Sequence, residues 1–364
     1  ASGMTDLASS KQGAGIGAPK VRKALIALGV LLLLAAPFLG VYPVFVMKLL
    51  CFALFACAFN LMLGYVGLLS FGHAAFFGMA AYVTGHSVKV WGLTPEVGII
   101  AGALVAAVLG LVIGSLATRR QGIYFAMITL ALAQMVYFFS IQAPFTHGED
   151  GIQGIPRGYL LGLVDLSDTL NMYYFVVGVF LFGFLVIYRT INSPFGQVLK
   201  AIRGNENRVI SLGYRVTHYK IAAFVLSAAF TGVAGGTKAI VFQAATLTDV
   251  HWQMSGEVVL MTLVGGVGTI FGPVIGAGLL VVLQNYLASV GSWVTVITGV
   301  IFVVCVLAFR RGIVGEIAER LKRRPRRPTR HAEREGISGA IFKPTGHVDR
   351  PGGLAWHLDG SWIG

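Results

Sequence analysis

Apolar residues along this chain occur in long uninterrupted runs instead of alternating with polar ones. A membrane-spanning helix needs about 20 mainly apolar residues, and such runs recur from residue 22 onward. They predict about ten transmembrane spans, at residues 22–40, 44–63, 65–86, 97–117, 122–143, 170–188, 219–242, 257–271, 273–288 and 292–309. The eighth and ninth are short and are split at Gly272-Pro273, which fits two half-helices or one re-entrant pair. The predicted fold class is all-α, a polytopic transmembrane helix bundle.

Cationic residues concentrate in alternate segments between the predicted spans. They are Lys11, Lys20, Arg22 and Lys23, then Arg119 and Arg120, then Arg189, Lys200, Arg203, Arg208, Arg215 and Lys220, and finally Arg310 and Arg311. The positive-inside rule makes all these segments cytoplasmic, which predicts an even number of spans with both termini cytoplasmic. The opposite side receives acidic residues, namely Glu149, Asp150, Asp165, Asp168 and Asp249.

Composition supports a membrane protein and excludes a nucleic-acid-binding one. The chain is 56% hydrophobic and 12% charged, whereas soluble domains are about a quarter charged. Its net charge of +13 lies in the loops and tail, not on a basic face that could follow a nucleic-acid backbone. The predicted domains are a cytoplasmic N-terminal segment at 1–21, a transmembrane domain at 22–310 and a basic tail at 311–364. The tail should be disordered or lie against anionic lipid headgroups.

Small residues recur at every fourth position of the fourth predicted span. They are Gly98, Gly102, Ala106, Gly110 and Gly114, and Gly268, Gly272 and Gly276 repeat this spacing later. Such a face lets membrane helices approach closely. Packing inside the bundle is therefore favoured over a subunit interface.

The segment Asn192 to Lys220 predicts two short helices between the sixth and seventh spans. Ser193 can cap a helix beginning at Pro194, and Phe195, Val198, Leu199 and Ile202 give it one apolar face before Gly204 ends it. Asn205 can cap a second helix that Gly213 closes. These residues alone leave open whether the pair lies on the membrane surface or docks into another protein.

This segment resembles the coupling loop of ABC-importer permeases, with Gly213 at the glycine of their cytoplasmic motif. Asn207, Arg208 and Val209 stand where that motif usually has Glu-Ala-Ala. Within those importers the resemblance is to permeases for branched-chain amino acids, and it covers most of residues 45–310. It is carried by SPFGQVLKAIRGNENRVISLGY, GYVGLLSFGHAAFFGMAAY, THGEDGIQGIP and SGEVVLMTLVGGVGTIFGPVIGA. His147 occupies a position where glycine is commoner in that family.

The resemblance implies the membrane-spanning permease subunit of an ATP-driven importer in a bacterial inner membrane, for branched-chain or related hydrophobic amino acids. The implied partners are a second homologous permease, two ATP-binding subunits and a periplasmic substrate-binding protein. Coupling to the ATPase is expected through the loop 189–219. Its expected contact residues are Phe195, Gly196, Val198, Leu199, Ile202, Arg203, Asn205, Glu206 and Gly213.

Two other transport functions remain alternatives. One is a urea or short-amide importer, whose permeases also resemble this chain in the loop and the glycine-rich spans. The other is an ion-driven secondary transporter, which is expected to carry a carboxylate in mid-span, and no predicted span has one.

The sequence predicts that this chain is not an enzyme and binds no cofactor or metal of its own. It contains no G-x-x-x-x-G-K-[ST] phosphate loop, because Gly235-Gly236-Thr237-Lys238 has the wrong order and lies in an apolar span. ATP is therefore expected on the partner subunits. Cys51, Cys57 and Cys305 lie in apolar stretches without metal-ligand spacing.

A few polar residues inside the spans are candidates for the substrate path, because a polar group is costly in a membrane unless it is paired or wetted. Ser70 and His73, a helical turn apart, either form a hydrogen-bonded packing pair or line the path. Glu257, at the outer end of the eighth span, either attracts the substrate ammonium or marks the membrane interface. Three further polar residues are not path candidates: Asn60 is expected to bond neighbouring helices, and Lys48 and Lys238 are expected to extend to the interface.

The short loop Thr146 to Pro156 carries Glu149 and Asp150 on the predicted outer side, where cations are sparse. Its glycines permit backbone conformations that other residues avoid, so the two carboxylates can be presented at a bend. The loop is either a solvated turn or a contact for the binding protein and the substrate's ammonium group.

Overall fold

The computed structural model describes residues 33–40, 42–160, 162 and 164–287, with single positions at 29, 31, 299, 300, 303 and 312. Residues 22–28, 30 and 32 of the predicted first span lie outside the described residues. So do the N-terminal segment 1–21, nearly all of the predicted tenth span and, apart from residue 312, the tail 311–364.

The described chain is mainly helical. Its α-helices are α1 (Pro43–Asn60, prolonged as a π-helix over Leu61–Val66), α2 (His73–Lys89), α3 (Pro95–Ala117), α4 (Ile123–Gln142), α5 (Thr169–Asn192), α6 (Pro194–Gly204), α7 (Glu206–Ser211), α8 (Val216–Phe242), α9 (Leu247–Val250), α10 (Trp252–Gly265) and α11 (Gly272–Leu287). Two short 3-10 helices lie at Ala36–Leu39 and Pro144–Thr146. Four two-residue strands form two antiparallel pairs: β1 (Ile152–Gln153) with β4 (Ala244–Ala245), and β2 (Tyr159–Leu160) with β3 (Val164–Asp165).

Among the described residues, five helices are long and apolar enough to cross a membrane: α1 with its π-helical extension, α3, α4, α5 and α8. Each follows a predicted span, with ends that differ by a few residues. An α-helical membrane bundle is therefore confirmed as the architecture.

The third predicted span, 65–86, is wrong at its beginning. Residues up to Val66 prolong α1, Gly67 ends that helix with a φ of +84°, and α2 begins only at His73. The His73 side chain bonds Ser227, whose Oγ donates to the carbonyl oxygen of Ala58 at 2.6 Å. Ala58 lies about two turns before the end of α1, so residues 67–72 run back inside the bundle as non-helical backbone.

Non-helical backbone at membrane depth requires polar partners inside the protein. Phe71 donates its backbone N–H to Thr129 Oγ1 at 3.2 Å, and Gly72 donates to Ser70 Oγ at 3.2 Å. The N–H of Ala74, in the first turn of α2, donates to Ser255 Oγ on α10 at 2.9 Å. These side chains replace the missing helical hydrogen bonds.

The eighth and ninth predicted spans are two short helices, α10 and α11, that pack against each other in opposite directions. A Cβ on Gly265 would collide with the backbone of Gly272, and one on Gly276 would collide with the carbonyl of Met261. Gly268 lies in the connecting turn with a φ of +79°. The expected stripe of Gly268, Gly272 and Gly276 is therefore wrong as a single helix face, because the first of the three precedes α11.

The glycine stripe of the fourth predicted span packs inside the bundle, as expected. All its members are buried. A Cβ on Gly102 would lie 2.5 Å from Thr84 Oγ1 of α2, and one on Gly110 would lie 2.5 Å from the Cβ of Ala228 of α8. Small residues on α3 thus allow three helices, α2, α3 and α8, to approach closely.

Candidate functional site

Two capped helices, α6 and α7, form the segment between α5 and α8. The N–H of Gly196 donates to Ser193 Oγ at 3.3 Å at the beginning of α6. The N–H of Arg208 donates to Asn205 Oδ1 at 3.1 Å at the beginning of α7. Gly213 follows α7 with a φ of +85°. The predicted caps, helix boundaries and closing glycine are all confirmed.

The apolar face of α6 attaches this segment to the bundle. Leu199 and Ile202 are buried, and Phe195 and Val198 pack at the margin of the same hydrophobic core. The ring of Phe195 stacks on Tyr219 of α8, with ring centroids 5.7 Å apart.

Gly196 is required for close packing at the end of α5. A Cβ at this position would lie 2.5 Å from the carbonyl oxygen of Thr190 and would collide with that of Ile191. The sequence marked Gly196 only through the family resemblance, since this approach is visible only in three dimensions.

Polar side chains tie the same segment to three other elements. Lys220 of α8 donates to both carboxylate oxygens of Glu206, at 2.7 and 2.6 Å. Gln121, in the turn between α3 and α4, donates to Glu206 Oε2 at 2.8 Å. Arg203 reaches in another direction, and its guanidinium donates to the carbonyl of Gly64. The structure thus brings the polar members of the predicted loop together at the end of the bundle that carries α6 and α7.

Ser70 and His73 do not pair with each other, which corrects one of the two expectations for these residues. Ser70 lies in the non-helical segment 67–72 and accepts a hydrogen bond from Gly72. The His73 imidazole instead lies 2.9 Å from Ser227 Oγ of α8, with Phe59, Phe76 and Phe224 packed around its ring. Both residues are fully buried, and their hydrogen bonds stabilise the non-helical connection between α1 and α2.

Glu257 lies in the second turn of α10 and is half-buried. It accepts a hydrogen bond from Gln284 of α11 and interacts electrostatically with Lys48 of α1. Lys48 in turn interacts with Lys238. Glu257 therefore belongs to a charged cluster between helices.

Lys238, which was expected to extend to the interface, forms an ion pair within the protein. Its ammonium bonds the carboxylate of Asp249, whose side chain is only 2% exposed. Asp249 is one of the acidic residues on the predicted outer side, and it is buried. Its burial follows from α9, which lies against α2: a Cβ on Gly78 would be 2.7 Å from the backbone nitrogen of Val250.

The loop Thr146 to Pro156 presents its carboxylates at a bend, as the glycines suggested. Glu149 and Asp150 are exposed, between Gly148 and Gly151 with φ angles of +61° and +66°. His147 adopts a φ of +60°, so it serves in a conformation that favours glycine.

Buried residues of this loop hold it against α2. Ile152 and Ile155 are buried beside Gly85 of α2, and Ile152 pairs with Ala245 across the β1–β4 ladder. This short ladder fixes the backbone that directly follows the exposed carboxylates.

Comparison with known families gives one match over most of the chain. The model of the family described as "Branched-chain amino acid transport system / permease component" matches residues 44–307. Those residues include α1 to α11 and all four strands, apart from Pro43 at the beginning of α1.

Individual relatives are similar at lower identity. The high-affinity branched-chain amino acid transport system permease protein LivM of Salmonella typhimurium is 27% identical over 286 residues, which cover 72% of this chain and 67% of the relative. The probable branched-chain amino acid transport permease protein LivM of Methanocaldococcus jannaschii is 26% identical over 272 residues, covering 63% and 77%. The ribose import permease protein RbsC of Bacillus subtilis is 27% identical over 248 residues, covering 64% and 73%.

No solved structure matches this chain. The family model alone spans well over half of the residues. It includes the α6–α7 segment, the non-helical residues 67–72 and the turn between α10 and α11. The chain belongs to the family of permease components of branched-chain amino acid transport systems.

Proposed function

We propose that this chain is the membrane-spanning permease of an ATP-driven importer of branched-chain or related hydrophobic amino acids, in a bacterial inner membrane. The observation that carries the proposal is the family match over residues 44–307. The relatives named LivM support the same substrate class.

The α6–α7 segment is, in this proposal, the docking site for the ATP-binding subunits. Three features support it: two capped helices, an apolar face that fixes α6 to the bundle, and polar ties from Arg203 and Glu206 to separate elements. A segment attached in this way can transmit movement of a docked ATP-binding subunit to the transmembrane helices. This end of the bundle is then cytoplasmic, with about ten spans and both termini on the same side.

The full transporter in this proposal has two permeases, two ATP-binding subunits and a periplasmic binding protein. ATP is bound by the partner subunits, and this chain contributes the path and the coupling loop. The outer loop with Glu149 and Asp150 faces the binding protein.

An ion-driven secondary transporter draws on one specific observation, the buried carboxylate of Asp249. That carboxylate accepts hydrogen bonds from the Lys238 ammonium at 2.6 and 2.7 Å and from Thr246. The ion pair with Lys238 explains why this carboxylate is buried without any coupling role. We therefore keep the ATP-driven function.

Uptake by cells with and without this gene tests the substrate class. Labelled leucine, urea and ribose would be supplied separately, with the ribose arm included because one relative is named for that sugar. We expect loss of leucine uptake alone when the gene is deleted. Loss of urea or ribose uptake with normal leucine uptake would contradict the proposal.

A further inference from the structure

Two places where helices end lie in contact near α6. One is the end of the π-helical extension of α1, at Gly64 to Gly67, and the other is the turn between α10 and α11. A Cβ on Gly64 would lie 2.7 Å from the backbone nitrogen of Gly268, and one on Gly268 would lie 3.1 Å from the carbonyl oxygen of Gly64. The two backbones are in direct contact, and only glycine fits on either side.

Asn60 holds one side of this contact. Its side-chain nitrogen donates to the carbonyl oxygen of Thr269 at 2.8 Å, and its Oδ1 accepts from the N–H of Gly268 at 3.0 Å. The side chain is buried, so both bonds form away from water. Asn60 thus fastens the α10–α11 turn to the end of α1.

Arg203 holds the other side, and it comes from α6. Its guanidinium donates to the carbonyl of Gly64, which lies in the last turn of a helix, where carbonyls have no partner within the helix. The same guanidinium nitrogen would lie 2.9 Å from a Cβ on Gly268, and the Arg203 Cγ would lie 3.0 Å from one on Gly67. The Arg203 side chain therefore contacts both the end of α1 and the α10–α11 turn.

The surroundings leave room for this side chain to move. A cavity of about 330 Å³ lies beside it, lined by Gly64, Tyr65, Lys200, Arg203, Gly204 and Gly268. The neighbouring residue Glu206 is fastened to Lys220 and Gln121. Movement of α6 relative to α1 would withdraw Arg203 from Gly64.

We propose that Arg203 is a positioning residue that transmits movement of α6 to the contact between Gly64 and Gly268. Asn60 holds the same contact through its hydrogen bonds with Gly268 and Thr269. This inference rests on the proposed docking of the ATP-binding subunits on α6 and α7.

Cysteine labelling tests the link without using any transported solute. The full complex, purified through a tag on this chain, would carry Val267→Cys with Cys51, Cys57 and Cys305 replaced by alanine. Val267 lies in the turn beside Gly268 and lines a cavity with Arg203. A membrane-impermeant maleimide would be added to proteoliposomes at the face carrying α6, with and without ATP and vanadate.

We expect ATP with vanadate to change the labelling rate of the introduced thiol at least about fivefold, a typical size for coupling between two sites. Arg203→Gln should abolish this change, and Arg119→Gln, the same substitution at an exposed arginine in the turn between α3 and α4, should preserve it. Asn60→Ala should give fast labelling with or without ATP. Arg203 is exposed, so its replacement should leave the fold intact, which size-exclusion elution checks.

Two results would overturn the inference: an ATP response in Arg203→Gln equal to that of the parent, or no response in the parent. Leucine uptake is measured in parallel on the same proteoliposomes. Absent leucine uptake with an intact, Arg203-dependent labelling response would contradict the proposed substrate and leave the link standing.

Discussion

Lys238 and Asp249 form an ion pair between α8 and α9, with the ammonium 2.7 Å from one carboxylate oxygen and 2.6 Å from the other. Their side chains are 13% and 2% exposed. The same carboxylate accepts from Thr246 in a capping box at the beginning of α9. This pair fixes the position of α9 against the bundle.

Removing one partner of this pair should destabilise the protein strongly. Lys238→Met leaves the Asp249 carboxylate buried without its counter-charge, which costs about 3–5 kcal/mol in comparable buried pairs. Thermal unfolding in detergent would measure the loss. The double variant Lys238→Met with Asp249→Asn removes the charge as well and should be more stable than the single variant. Additive effects of the two substitutions would show that the pair is not coupled.

A bulky residue at Gly213 should abolish uptake while membrane levels stay normal. Gly213 has a φ of +85° and open space around it, so Gly213→Val is opposed by backbone strain alone, about 1–3 kcal/mol. The strain would displace α7 relative to α8 and misplace the docking surface. Gly204→Ala is the matched control, because Gly204 also has open space but an ordinary φ. Normal uptake by Gly213→Val would contradict the assignment of the coupling loop.

Enlarging the glycine stripe of α3 should loosen its contact with α8. A Cβ on Gly110 already lies 2.5 Å from that of Ala228, so Gly110→Leu forces the helices apart at a cost of about 1–3 kcal/mol. The melting temperature in detergent should fall. Gly178→Leu on α5 is the control, because Gly178 is exposed and a Cβ there meets nothing within 4 Å. Equal melting temperatures for the two variants would show that the α3 stripe is not a packing surface.

Much of the helical framework could be predicted because its signals are local. The spans that became α3, α4, α5 and α8 are long, mainly apolar runs, and the caps at Ser193 and Asn205 follow directly from residue type. Helix termini and amphipathic faces depend on neighbours a few residues away, so the sequence contains the information.

The interruptions of the helices and the buried charges could not be predicted, because they depend on contacts between residues far apart in the sequence. Residues 67–72 read as part of an apolar span, and side chains on other helices contribute to the stability of this break: Thr129 accepts from Phe71, and Ser255 accepts from Ala74 at the beginning of α2. The ion pair of Asp249 could not be predicted, because its partner Lys238 lies on a different helix. The spacing of Ser70 and His73 allowed a hydrogen bond between them as one of two alternatives, whereas His73 bonds Ser227, 154 residues away.

The last prediction concerns the exposed carboxylates of Glu149 and Asp150. They lie between glycines with positive φ, above a base held by Ile152. An exposed charge pair adds only about 0–1 kcal/mol of affinity, but opposed charges raise the encounter rate and fix orientation. Replacing both carboxylates with their amides should therefore lower uptake most at low ionic strength, where screening is weakest.

Asp165→Asn is the control for this variant, since Asp165 is an exposed carboxylate in the same connection between α4 and α5. Initial uptake rates would be measured from low to high salt for the parent, the control and the double variant, with co-purification of the ATP-binding subunits as a check on assembly. The double variant should approach the parent as salt increases, because screening removes the steering that the parent has and the variant lacks. If its uptake equals that of the parent at every salt concentration, the loop is a solvated turn without a role in recognition.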